Sequence, residues 1–117
     1  MKALTLSLLA VTSLIALGCA RVDVTKTAKG FLAATDPNEV EILITKPDRP
    51  FIEVATITTS AWRPGETAKM HNALRAKAGP LGAHAVILLN SGINDDGYYW
   101  ATGVAVRWKD AAAGETR

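Results

Sequence analysis

Two apolar stretches flank the hexapeptide GINDDG (92–97), and this arrangement restricts the fold more than any other feature of the chain. Asp96-Gly97 is a strong hairpin turn signal, because both residues tolerate the positive φ that a tight turn demands. Upstream, HAVILLNS (84–91) is apolar on both parities, as suits a central strand covered on two sides. Downstream, YYWATGVAVRWK (98–109) puts Tyr98, Trp100, Val104, Val106 and Trp108 on one parity. The other parity holds Tyr99, Ala101, Gly103, Ala105 and Arg107.

The rest of the domain is consistent with that hairpin. In EVEILIT (39–45), Val40, Ile42 and Ile44 alternate with Glu39, Glu41 and Leu43, the period of a half-buried strand. KPDRP (46–50) is turn chemistry, and FIEVATITTS (51–60) is a second strand rich in β-branched residues. AWRPGE (61–66) breaks it. Residues 66–78 predict a helix whose apolar stripe is Met70, Ala73, Leu74 and Ala78, flanked by Lys69, Asn72, Arg75 and Lys77. Gly79-Pro80 ends the helix, and Leu81 closes its apolar face. The expected domain is therefore α+β over residues 39–109, in the order ββαββ, with a mainly antiparallel sheet and one helix packed on one face. Residues 110–117 read as a disordered tail.

One helix covers one face of a sheet. The small-residue parity, Ala101, Gly103 and Ala105, with Leu43 and Ile57, is expected on the uncovered face. That face must be closed by the preceding segment, by the AWRPGE loop or by another protein. Exposed apolar surface on a soluble domain marks interaction sites, and Tyr and Trp dominate interface hot spots. Trp62 and Tyr99 are the residues expected to border a partner-binding surface.

The N-terminus reads as an export signal, residues 1–18. Lys2 provides the positive start, ALTLSLLAVTSLIAL (3–17) the apolar region, and Gly18 the small residue at the cut. The apolar run is shorter than the roughly 20 residues of a membrane span, and no stop-transfer pattern follows. Cys19 is the single cysteine, so neither an internal disulfide nor a CxxC motif can form. Residues 20–38, ARVDVTKTAKGFLAATDPN, lack sustained periodicity and read, with Cys19, as a tether over 19–38. Fully stretched, about 19 residues reach about 60 Å. VDV could add a short strand there and GFLAA could dock on the domain.

Thirteen Lys+Arg against 11 Asp+Glu leave no electrostatic footprint for nucleic acid. The only candidate metal constellation is His71, His84, Asp95 and Asp96, which has neither i,i+4 nor CxxC-type ligand spacing. No metal or cofactor is expected. Ser60 and Ser91 lack a G-x-S-x-G elbow, no carboxylates pair on a recognisable frame, and GETAKMHNAL (65–74) is no phosphate loop. An enzyme is not expected.

Two resemblances add to this reading. IALGC (15–19) resembles a bacterial lipobox, which implies that Cys19 becomes the first residue of the mature chain and is acylated on sulfur and amine. Ala16 stands where that family usually has Leu, and Ala16 with Gly18 also fits ordinary secretory cleavage, leaving a soluble periplasmic product as the alternative. Three acyl chains would anchor stably where one would not. Ala20 rather than Asp after the cysteine implies the outer membrane, with the domain facing the periplasm.

EVEILITKPDRPFIEVATI (39–57), ALRAKAGPLGAHAVILLNS (73–91) and ATGVAVRW (101–108) resemble the domain of the outer-membrane lipoprotein that senses envelope stress for the Rcs phosphorelay, and related small domains. The resemblance implies an α+β fold and binding rather than catalysis. The Rcs sensor looks disulfide-stapled and long-tethered, whereas Thr58, Thr59, Ser60, Asn90 and Ser91 stand here without any cysteine in the domain. The expected function is a lipid-anchored domain that binds another envelope protein, in envelope stress sensing. The alternatives are an assembly accessory lipoprotein and a small metal- or ligand-binding module.

Overall fold

Strand pairing in the computed structural model, which describes residues 20–110, builds one five-stranded sheet. Its strands are β1 (Arg21–Lys26), β2 (Glu41–Leu43), β3 (Phe51–Trp62), β4 (Ala85–Ile93) and β5 (Tyr99–Trp108), in the spatial order β1-β3-β5-β4-β2. All pairings are antiparallel except that of β2 with β4. One helix, α1 (Thr67–Ala78), joins β3 to β4 and packs on one face. The domain is α+β, as expected. The signal region, Cys19 and residues 111–117 lie outside the described residues.

The predicted hairpin forms between β4 and β5. Gly97 takes φ +84°, and the Asn94 N–H donates to the Tyr98 carbonyl at 2.9 Å. The centre of the sheet is β5 rather than β4, although β4 is interior and buried on both parities at its start. Met70, Leu74 and Ala78 are the buried residues of α1, matching the predicted stripe.

For β5 and Ile57 the assignment of the two faces is the reverse of the expectation, whereas Leu43 lies on the uncovered face as expected. Ala55, Ile57, Val86 and Ala105 cluster with Leu74 and Ala78 of α1, so the small-residue parity of β5 lies beneath the helix. Gly103 explains the geometry. A Cβ there would sit 2.9 Å from the Ile87 carbonyl oxygen and 3.0 Å from Val86 Cγ1, so Ile57 and Leu88, its register neighbours, fill the space beside it. The uncovered face carries the bulky parity instead: Ala85, Ile87, Val106 and Trp108, with Leu43, Phe51 and Val104 against them.

The domain also begins earlier than residue 39. β1 pairs along β3 from Arg21↔Ser60 to Lys26↔Ala55, and the N–H groups of Thr27 and Ala28 both donate to the Val54 carbonyl. Farther on, Thr35 N–H donates to the Gly79 carbonyl at 2.8 Å, and its hydroxyl donates to the Ala83 carbonyl. Gly82, at φ +88°, admits the chain closely: a Cβ there would lie 2.7 Å from Leu32 Cβ and 2.9 Å from the Ala33 oxygen. The buried Arg107 guanidinium donates to both Ala33 and Gly82 carbonyls, at 3.1 and 2.7 Å. Much of the expected tether is thus bound to the domain. β1 shows only a short apolar alternation, Val22 and Val24, because it is an edge strand with almost every residue exposed. β2, at the other edge, stops at Leu43, which leaves Ile44 80% exposed.

Candidate functional site

Three surfaces gather the residues that could carry function. The first is the hairpin end of the sheet. A register shift between Thr59 and Trp62, with Ala61 at φ 66°, turns the end of β3 and sets Trp62 opposite Tyr99. A left-handed alanine is uncommon, and here it lets the Trp62 Nε1–H donate to Thr59 Oγ1 at 2.6 Å. The buried Thr59 hydroxyl in turn donates to the Arg21 carbonyl at 2.7 Å. This relay fastens an indole to the first residue of β1.

Tyr99, on the helix side, lines a groove of about 260 Å³ with Met70, His71, Leu88, Ile93 and Trp100. The Trp100 ring lies over Gly92, where a Cβ would come within 3.0 Å of the indole. Trp62 and Tyr99 are both half-buried, and Ile93 and Tyr98 are exposed beside them. The two residues singled out from sequence are therefore brought together, but on the helix side of the sheet rather than at the border of the uncovered face. The parity reversal of β5 accounts for the difference.

The second surface is the uncovered face itself. Phe51, Ile87, Leu89 and Val104, with Lys46 and Glu53 at the margin, line a hollow of about 230 Å³. A register shift between Leu88 and Asn90 sets Leu89 out of the ladder, 64% exposed. Toward the far end the face closes: Trp108 is only 6% exposed, with the Arg49 guanidinium 4.6 Å from its ring centroid and Asp110 bonded to Arg49 at 2.9 Å. This group was not singled out from sequence. The residues of this parity, Val104, Val106 and Trp108, are visible in the sequence, but their alternation alone does not tell which face the helix covers.

The third is a polar hollow of about 360 Å³ at the far end, lined by Asp36, Glu39, Glu41, His84 and Trp108 among others. His84 Nδ1 accepts from the Trp108 N–H at 3.1 Å, so this ring nitrogen holds the end of β5. His71 lies at the other end of the molecule, where burial, and secondarily the Arg75 charge, holds its pKa below the usual 6.5. Asp95 and Asp96 sit in the hairpin turn, where Asn94 Oδ1 accepts the Asp96 and Tyr98 N–H groups at 3.0 Å. The four residues of the candidate metal constellation are thus dispersed, and among the described residues no group of three or more His, Cys, Asp or Glu could hold a metal ion. Ser60 ends the β1 pairing, and Ser91 pairs with Ala101 across the β4–β5 ladder.

No family model matches the chain, and no curated protein does. Among solved structures, the chain is similar to the crystal structure of a Francisella virulence factor, FvfA, in its orthorhombic form. The TM-score is 0.56 at 17% sequence identity, over 74% of this chain and 97% of that one. A likeness at this identity is one of fold.

Proposed function

We propose that this chain is a bacterial lipoprotein, acylated at Cys19, whose α+β domain faces the periplasm from the outer membrane and binds another envelope protein without catalysing a reaction. The anchor rests on the lipobox-like IALGC that directly precedes the domain. The binding role rests on the uncovered sheet face, where Leu89 stands 64% exposed beside Phe51, Ile87 and Val104. The hollow beside the exposed Leu89 gives a partner's apolar side chain a place to sit. The partner contacts this face, rather than Trp62 and Tyr99. By its resemblance to the Rcs sensor, the complex serves envelope stress signalling.

The test is a photocrosslinking amino acid at Lys46, beside the hollow, in cells that produce the protein. The expected result is one adduct with an envelope protein, identified by mass spectrometry and lost when Leu89→Glu is added. An adduct indifferent to that substitution, or one with a second copy of the chain, contradicts the reading. Palmitate labelling that survives Cys19→Ser would remove the anchor.

A further inference from the structure

We infer that the hairpin end of the sheet rests directly on the lipid bilayer, with Trp62, Tyr98, Tyr99 and Trp100 in the headgroup layer. The inference rests on acylation of Cys19. It then follows from where the fold begins and what surrounds that point. Arg21, the first residue of β1, is two residues beyond Cys19. Two extended residues span at most about 7 Å. A domain anchored so closely has no slack with which to stand away from the membrane.

The register decides which end approaches. Arg21 pairs with Ser60 near the close of β3, and Trp62, beyond it, pairs with Tyr99 at the start of β5. On the other side of β5, Gly92 and Ile93 pair with Trp100 and Tyr99. The hydrogen-bond relay from Trp62 through Thr59 to the Arg21 carbonyl ties this aromatic end to the point where the anchor enters. Of the five Trp and Tyr residues in the chain, four lie here. The fifth, Trp108, is eight residues along β5, roughly 26 Å away.

The chemistry of this end suits an interface between lipid and water. Tyr and Trp combine an apolar ring with a polar edge and favour the headgroup level. Ile93, 59% exposed, adds apolar area. Arg21 and Arg63, both exposed, have stems long enough to bring a guanidinium to lipid phosphates. Asp95 and Asp96 limit the depth: carboxylates at the hairpin tip stay in water, so the aromatic flank meets the headgroups and does not insert as a wedge. The strands then stand away from the membrane, and the uncovered face is turned sideways toward a partner.

The test uses the full acylated protein purified from producing cells and reconstituted in phosphatidylethanolamine–phosphatidylglycerol vesicles carrying chain-brominated lipid. Variants retaining one indole are made by Trp→Phe at the other two positions. The Trp62 and Trp100 emissions are expected to be quenched several-fold more than that of Trp108. Where a variant does not fold, the wild-type protein is read instead, with partial quenching that leaves the Trp108 component. Equal, weak quenching of all three indoles in protein whose mass confirms acylation would overturn the bilayer contact and leave the anchor standing. A mass lacking acyl chains would remove the anchor reading, and this inference with it.

Discussion

The two faces of the sheet are built on opposite rules. Beneath α1, β5 presents Gly103 and Ala105, and the neighbouring strands supply Ile57 and Val86 to fill the space those small residues leave. On the uncovered face the side chains are larger and shield one another. Ile87 is 5% and Trp108 6% exposed, with no layer of secondary structure above them among the described residues. In β5, small residues therefore lie where the second layer approaches. Bulky residues of β5 lie where the sheet covers itself, and that cover is open at Leu89.

The contrast is sharpest in stability. Leu74, 1% exposed between helix and sheet, should cost about 2–5 kcal/mol when replaced by Ala, read from denaturant unfolding. A loss below about 1 kcal/mol would mean that the helix is not seated on this face. Gly82→Ala should cost about 1–3 kcal/mol, since a non-glycine residue at φ +88° is strained and its Cβ would press on the Ala33 carbonyl. Leu89→Ser, on the uncovered face, should stay within about 0.5 kcal/mol of wild type while abolishing partner capture. A large destabilisation there would make Leu89 core and dissolve the contrast.

The smallest effect is one of pH. His71, on α1, has a lowered pKa, first through burial and then through Arg75. The unfolded chain accordingly takes up a proton below about pH 6.5 that the folded chain declines. Stability from this group is complete above that pH and falls as the pH drops toward the folded value. His71→Gln should flatten the thermal-melting profile of the wild type across that window, and an unchanged profile would show that the ring is solvated as in the open chain.

Much of this was legible in the sequence, for physical reasons that also explain the gaps. The helix stripe of Met70, Leu74 and Ala78 and the Asp96-Gly97 turn are local signals, and both are seen. Which parity of β5 meets the helix is a tertiary matter. Alternation identifies two faces without saying which one is covered. In β1 the sequence offers only a short strand at VDV within a tether, because an edge strand exposed on nearly every residue is held mainly by backbone pairing and only Val22 and Val24 alternate in RVDVTK. The pairing of Trp62 with Tyr99 depends on a left-handed Ala61, which no propensity favours.

The proposed orientation on the membrane and the proposed sideways presentation of the uncovered face both require that the sheet begin at Arg21. Amide hydrogen exchange, followed by NMR on the intact protein, tests this directly. The N–H groups of Thr27 and Ala28, bonded to the Val54 carbonyl at 2.9 and 3.0 Å, and the paired amides of β1 should exchange far more slowly than those of an unstructured chain. Exchange of this whole segment at the unstructured rate, with β3 and β5 still protected, would make it a tether and contradict the account.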